Sequence, residues 1–269
     1  MTSPGITRFY AAAAVLAVIA GVLLFPLATE TDRFFSWTIE PPVTAAFLGA
    51  AYWAAALLLG WAARRREWAS ARTALPPVAT IAVLLLVTTL IHLDRFDLDS
   101  IFGWFWLVVY VCVTPLLAWL VWRQLRDAEP VARGLHPFPG VLRLLLAAQA
   151  VILLASGAAL LVAPVDAAEI WPWVLTPLTA RAVGSFLVGF GVAAAFALWE
   201  NDIVRLRGVA WAWCALGALE LVVAATRSAE LDGGSGAVAA YLVFWSLSAA
   251  GGAAGVVLAS RAKSALASS

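Results

Sequence analysis

Eight apolar runs divide the sequence, and they restrict the fold more than any other feature of the chain. The runs cover residues 8–27, 44–63, 75–93, 101–122, 141–163, 180–199, 208–226 and 237–259. A run of about 20 apolar residues is long enough to cross a hydrocarbon core of about 30 Å as an α-helix. Because backbone groups cannot remain unpaired in lipid, each run must be helical. The sequence therefore predicts an all-α polytopic membrane protein with eight transmembrane helices.

The composition agrees with a chain that is dissolved in lipid. Of the 269 residues, 64% are hydrophobic and 12% are charged, whereas soluble domains contain about 45–50% apolar and about 25% charged residues. The net charge of +1 gives no support for a nucleic-acid partner. We expect the lipid bilayer to be the main partner. A partner membrane subunit and a homo-oligomer both stay open.

The basic residues are segregated between alternate loops. Thirteen lie on one side of the predicted membrane: Arg8, Arg64, Arg65, Arg66, Arg72, Arg123, Arg126, Arg133, Arg143, Arg205, Arg207, Arg261 and Lys263. Only four lie on the other side: Arg33, Arg95, Arg181 and Arg227. Cytoplasmic loops carry an excess of lysine and arginine. The pattern predicts a cell-membrane protein with both termini in the cytoplasm, and the arginine- and alanine-rich composition favours a bacterial inner membrane. The first run is long for a signal-peptide core, so we expect it to be retained as a span.

The chain resembles a tandem duplication of a four-helix unit. At an offset of 135 residues, the segment 42–49 aligns with 177–184, and the match continues without gaps through Tyr110 and Trp245. An even number of spans in each unit gives both halves the same orientation. The sequence therefore predicts two parallel four-helix repeats, at residues 1–130 and 131–269.

A tryptophan-bearing acidic linker follows the first helix of each predicted unit, at residues 29–37 and 166–173. Indole rings are enriched at membrane–water interfaces. We therefore expect both linkers to lie as short amphipathic segments in the headgroup layer on the extracytoplasmic side.

Most residue sets that hold metals or cofactors are absent from the sequence. His92 and His136 are the only histidines, and the predicted topology places them on opposite sides of the membrane. Metal and haem sites need clusters of histidine, cysteine or acidic ligands. We therefore predict no metal and no cofactor. An enzyme is less favoured, but it stays open because a membrane transferase can work with a few scattered acids.

Glu220 is the sharpest candidate for a functional residue, because it is the only acid inside a predicted span. An ionisable group at membrane depth is costly and indicates a functional site with a partner. It lies about 9 Å along the helix from the outer end of its span. Arg181 is the first choice of partner and His92 the second. Gly217 would let a neighbouring helix approach closely.

Two aromatic pairs form the second candidate. Trp106 and Tyr110 lie four residues apart on the fourth span, and Tyr241 and Trp245 are their counterparts on the eighth. These pairs could face each other as the walls of an outward-opening pocket, or they could be ordinary residues of the aromatic belt. Gln149, in the fifth span, is predicted to hydrogen-bond another helix.

Three classes of function are compatible with these features. The first is a transporter or permease-like protein for a small or amphipathic solute, because a parallel duplication creates a central interface. The second is a non-catalytic accessory or scaffold subunit of a larger membrane complex. The third is an enzyme that modifies a lipid or an isoprenoid.

The predicted topology can be tested with reporter fusions. Fusions after residues 68, 130, 204 and 269 should report a cytoplasmic location, and those after 35, 97, 170 and 232 an exterior one, because basic loops are retained inside. Paired alkaline phosphatase and green fluorescent protein fusions give this measurement. Fusions at 130 and 170 that report the same side would contradict the eight-span topology.

Overall fold

The computed structural model describes residues 1–232 and 234–268; residue 269, one of the proposed fusion points, lies outside them. Eight helices in this part of the chain are long and apolar enough to span a membrane. They are α1 (Pro4–Leu24), α2 (Pro42–Ala63), α3 (Leu75–Ile91, which forms one span with the short helical segments from Trp68 onward), α4 (Ile101–Arg126), α5 (Gly140–Val162), α6 (Pro177–Glu200), α7 (Arg207–Thr226) and α8 (Gly234–Ser268). No strand is present among the described residues. The predicted all-α class and the eight spans are confirmed.

Short helical segments connect several of these helices. They lie at Thr31–Phe34, Trp68–Ala71, Arg72–Ala74, Leu93–Arg95, Pro164–Ala168 and Ser228–Glu230. Helix α8 extends beyond the predicted run at both ends, into flanking residues that are less apolar.

Side-chain caps fix where several of the long helices begin. The Ser3 hydroxyl accepts a hydrogen bond from the Ile6 amide at the start of α1, and the Ser100 hydroxyl accepts one from the Phe102 amide in α4. At the start of α6, Thr176 and Thr179 cap each other in a capping box. Such contacts satisfy amides that have no partner within the helix.

Hydrogen bonds between loops define the two ends of the bundle. At the end that carries both chain termini, which we call the terminal face, the Thr2 amide donates to the Arg66 carbonyl (2.8 Å) and the Gln124 side chain donates to the Met1 carbonyl (3.1 Å). At the opposite face, the Asp97 amide donates to the Ser36 carbonyl (3.0 Å). The first four helices therefore alternate in direction.

Helices α2 and α6 form the centre of the bundle. Over their most apolar windows, 78% of the α2 residues and 67% of the α6 residues are buried, whereas in α1, α4, α5 and α8 the share is 22–28%. Small residues make this packing possible. A Cβ atom added at Gly49 of α2 would lie 2.5 Å from the Phe25 amide nitrogen, and one added at Gly184 of α6 would lie 2.8 Å from the Gly157 carbonyl oxygen. Helix association in lipid depends on such close backbone approach.

The tryptophan-bearing linkers are placed differently from the prediction. Trp37 and Trp173 are only 5% and 1% exposed. The Trp173 indole N–H donates to the Thr44 hydroxyl of α2 (2.8 Å), and the Trp37 ring packs on Trp106 of α4 (5.0 Å between centroids). Both rings therefore pack against the helices of the bundle, where aromatic pairing stabilises them and a hydrogen bond from the indole N–H also stabilises Trp173.

Candidate functional site

Glu220 lies on α7 and is fully buried. The Tyr241 hydroxyl of α8 donates a hydrogen bond to its Oε2 atom at 2.7 Å. The other carboxyl oxygen, Oε1, is also buried and has no hydrogen-bond partner among the described residues. A buried carboxyl group with an unpaired oxygen carries a desolvation cost that a ligand donor could offset.

Close packing of α7 on α8 brings these two side chains together. A Cβ atom added at Gly217 would lie 2.5 Å from the Ala249 amide nitrogen and 2.6 Å from the Trp245 carbonyl oxygen. The absence of a side chain at Gly217 therefore lets the two backbones touch, one turn before Glu220. The predicted close approach at this glycine is confirmed.

Aromatic rings surround the Tyr241 side chain. The Trp173 ring meets it edge-on with 5.5 Å between centroids, and the Trp245 ring lies at 6.1 Å. Trp171 in turn packs against Trp173 at 5.3 Å. Perpendicular rings at these distances are favourable because the edge of one ring is positive and the face of the next is negative.

A cavity of about 440 Å³ lies beside this cluster. Helix α5 contributes Ile152 and Ser156 to its wall, the linker contributes Trp171, and α8 contributes Tyr241 and Trp245. The wall is mostly apolar and includes a few residues with polar groups, such as Ser156. The Tyr241 ring therefore borders the cavity while its hydroxyl group holds the Glu220 carboxyl.

The predicted pairing of Arg181 with Glu220 is wrong. The Arg181 side chain instead lies 2.8 Å from the His92 Nε2 atom and donates through Nε to the Leu161 carbonyl (3.1 Å). The reason is the arrangement of the helices. Helix α6 presents Arg181 to the end of α3, whereas Glu220 on α7 faces α8. His92, the second choice, is occupied by the same arginine.

His92 follows the last residue of α3, and its environment disfavours a positive charge. Burial lowers the pKa of His92 from its ordinary value of 6.5, and the positive charge of Arg181 lowers it further. A neutral imidazole can accept a hydrogen bond from the guanidinium group, which a protonated imidazole cannot. The pair is therefore stable with a charged Arg181 and a neutral His92.

The two aromatic pairs do not face each other in one pocket. Trp106 and Tyr110 line a separate cavity of about 130 Å³. The Trp106 indole donates to the Thr89 hydroxyl (2.9 Å), and the hydroxyl groups of Tyr110 and Tyr52 lie 2.7 Å apart. Each pair packs against the linker tryptophan that precedes it in the chain. The structure therefore has two separate cavities where the sequence suggested one shared pocket.

Gln149 forms the interhelical contacts that the sequence predicted. Its amide nitrogen donates to the Ser248 hydroxyl of α8 (2.7 Å), and its amide oxygen accepts from the Trp213 indole of α7 (3.1 Å). All three side chains are buried. Because both ends of the amide are paired, this group holds α5, α7 and α8 together.

A buried ionic cluster at the terminal face was missed by the sequence reasoning. Glu200 is fully buried at the end of α6, where it forms ion pairs with Arg72 and with Arg205 (2.8 Å). Asp202 is 1% exposed and accepts the Val204 amide (3.1 Å). The available signal was the position of two acids directly after a span, on the side where basic residues predominate.

Within residues 1–232 and 234–268, no group of three or more histidine, cysteine or acidic side chains is arranged to hold a metal ion. No family model, curated protein or solved structure matches this chain. The class that the fold defines is a multi-pass membrane protein with eight spanning helices.

The contribution of the Tyr241–Glu220 bond can be measured with a double-mutant cycle. Tyr241→Phe leaves both carboxyl oxygens unpaired and should cost about 1–3 kcal/mol of unfolding free energy. Because Glu220→Gln keeps an acceptor and adds donors, it should cost less. The cycle should give a coupling of about 1 kcal/mol or more between the two sites, measured by denaturant unfolding in detergent micelles.

Tyr10→Phe is the matched control for this cycle. Tyr10 is fully buried, and its hydroxyl group has no hydrogen-bond partner among the described residues. Removing it should be neutral or slightly stabilising. Equal losses for Tyr10→Phe and Tyr241→Phe would show that the bond to Glu220 contributes nothing specific.

The Arg181–His92 contact predicts a loss of stability in acid. Because the pKa of His92 is lowered by folding, the unfolded chain binds the proton at a higher pH than the folded chain. The folded state is therefore most stable well above pH 6.5, and it loses stability as the pH decreases through that value. The thermal midpoint should decrease between about pH 7.5 and about pH 5.5, and His92→Gln should make that decrease smaller. An unchanged pH profile in the variant would contradict this assignment.

Proposed function

We propose that this protein is a permease-like membrane protein that binds an amphipathic cation at the Glu220–Tyr241 site. The observation that carries the proposal is the Oε1 atom of Glu220, a buried acceptor with no partner among the described residues. An intramembrane acid that lacks one partner is a site where a substrate or a proton has something to bind.

The chemistry of the surroundings supports an apolar body with a cationic head. The cavity of about 440 Å³ lies within the range of small-molecule sites. Its mostly apolar wall suits an alkyl or aromatic group. The rings of Trp171, Trp245 and Tyr241 that border it can attract a cation to their faces. The carboxyl of Glu220 lies behind them and would pair with the cation by giving up its proton.

Tyr241 is the connecting group in this proposal. Its ring borders the cavity, and its hydroxyl group bonds to Oε2 of Glu220. A solute reaches the carboxyl only when the Tyr241 side chain moves aside. Tyr241 would thus control access between the cavity and the acid.

We also propose that residues 1–130 and 131–269 are parallel repeats, which supports a transport role because many transporters are built this way. Each proposed half has its own cavity beside its last helix. Helix α4 lines one with Phe105, Trp106, Val109 and Tyr110, and α8 lines the other with the residues 135 positions later. The helix contacts are also equivalent: α1 packs on α2 as α5 packs on α6, and α3 packs on α6 as α7 packs on α2.

For the orientation, we propose that the terminal face is cytoplasmic. The basic residues of the loops at that face are in excess, which is typical of the cytoplasmic side. The Glu220 cavity would then open in the outer half of the membrane, next to the extracytoplasmic linkers.

A second candidate is a subunit of a larger membrane complex, and α4 is the feature that favours it. This helix is 22% buried over its most apolar window. It exposes Trp104, Trp119 and Trp122 along its length, and large rings on one face are also enriched at interfaces between proteins. A stoichiometric second polypeptide that copurifies from the native membrane would favour this candidate.

Transport can be tested in proteoliposomes with a fluorescent quaternary ammonium dye that carries an apolar tail. The wild-type protein should give saturable uptake above protein-free liposomes. Glu220→Gln should reduce the uptake about tenfold or more, because the loss of a charged partner costs at least about 1.5 kcal/mol. The measurement is the initial uptake rate at several dye concentrations.

An anionic dye of the same tail length and the Tyr10→Phe protein serve as controls. The anionic dye should not be taken up, and Tyr10→Phe should transport as the wild type does. Wild-type uptake that equals protein-free liposomes would contradict the transport proposal. Full uptake by a folded Glu220→Gln protein would remove Glu220 from it.

A further inference from the structure

A polar cavity of about 360 Å³ lies at the terminal face, at the other end of α7 from Glu220. Both proposed halves contribute to its wall. The basic residues that line it are Arg64, Arg65, Arg66, Arg207 and Lys263. Glu67 is the only acid among the lining residues. The cavity therefore has a strong positive charge excess.

Arg65 and Arg207 of this cavity differ from two arginines nearby in having no ion-pair partner among the described residues. Arg72 and Arg205 form ion pairs with the buried Glu200. Arg65 and Arg207 have no such ion pair within the described part of the chain, and their Nε atoms, like that of Arg72, are buried and donate no hydrogen bond there. Buried donors without partners are unusual in native structures and indicate a missing acceptor.

The surrounding residues hold two of these guanidinium groups in place. The Arg65 guanidinium carbon lies 4.8 Å from the centroid of the Trp61 ring, and the Arg64 Nη1 atom donates to the Gly60 carbonyl at 2.7 Å. A stacked guanidinium keeps its edge donors available. The arginine donors are therefore partly ordered before any ligand binds.

Helix α7 adds a second source of positive potential. It begins at Arg207, and its N-cap residue, Leu206, provides no side-chain cap. The first amides of a helix and its macrodipole favour an anion at this end. A Cβ atom added at Gly208 would collide with the Trp61 ring, so α2 and α7 are in contact directly beneath the cavity.

We propose that this cavity binds a phosphate group, provided either by the headgroup of an anionic phospholipid or by free phosphate. Phosphate oxygens accept paired hydrogen bonds from the planar edge of arginine. Basic pockets between transmembrane helices are suited to anionic headgroups when they lie at the membrane surface. Both sources present the same oxygens, so the recognition chemistry is shared.

The site can be tested with the full-length protein in nanodiscs of zwitterionic phosphatidylcholine. In one arm, part of the lipid is replaced by phosphatidylglycerol. In the other arm, inorganic phosphate replaces chloride at equal ionic strength. A ligand that binds only the folded protein raises the thermal midpoint. We expect a rise in at least one arm. A rise with phosphatidylglycerol alone assigns the headgroup, and a rise with phosphate alone assigns the free anion.

The paired substitutions Arg65→Gln and Arg207→Gln should weaken apparent binding by about tenfold or more, since each removes a charged donor to the phosphate. The matched control is the pair Arg123→Gln and Arg126→Gln, which removes two charges from α4 at the same face. Those side chains stack over Trp119 and Trp122 outside the cavity. The control protein should bind as the wild type does.

Glu67→Gln gives a test that does not depend on loss of function. It removes the one acid among the lining residues and should strengthen binding several-fold. The side chain is exposed, so folding should be unaffected. The absence of a midpoint rise in both arms would overturn the proposal. An equal loss of binding in the cavity variant and the α4 control would also overturn the proposal, because that result would show only a general response to surface charge.

Discussion

The structure depends on the requirement that every backbone amide within lipid be hydrogen-bonded inside its own helix. This requirement fixes eight helices, and it also limits how they can hold each other. Lipid chains are as apolar as leucine, so helices associate by close packing and not by the hydrophobic effect. The central positions of α2 and α6 follow from their glycines and alanines. Gly49 and Gly184 show the result, because neither position has room for a Cβ atom.

Once the backbone groups are hydrogen-bonded within their own helices, the polar side chains inside the bundle have mainly each other as partners. Gln149 is paired at both ends of its amide, and Glu200 is held by two arginines. Glu220 is paired at one oxygen only, and its other oxygen is buried without a partner among the described residues. The difference separates polar groups that complete the structure from one that leaves an acceptor for a ligand. The same reasoning applies, with opposite charge, to the unpaired arginine nitrogens at the terminal face.

The tyrosines that line the cavities beside α4 and α8 have different hydrogen-bond partners. Tyr110 bonds to the hydroxyl group of Tyr52, a neutral partner on α2. Tyr241, on the other hand, bonds to a carboxyl group on α7. If the halves descend from one unit, as we propose, only one of them now carries the acid, since the residue 135 positions before Glu220 is Leu85. The asymmetry is the reason that the proposed function places the ligand beside α8.

The sequence by itself determined the number of spanning helices, because length and hydropathy decide which segments can cross lipid. It also pointed to Glu220 and to the contact at Gly217, since an acid and a glycine inside an apolar run are local features. Only the tertiary structure decided the partner of Glu220. The sequence suggested Arg181 first and His92 second, whereas the structure pairs Glu220 with Tyr241, because the rotation of each helix about its axis selects which side chains meet. That rotation depends on packing against several neighbours at once, so it cannot be inferred from a local pattern of residues.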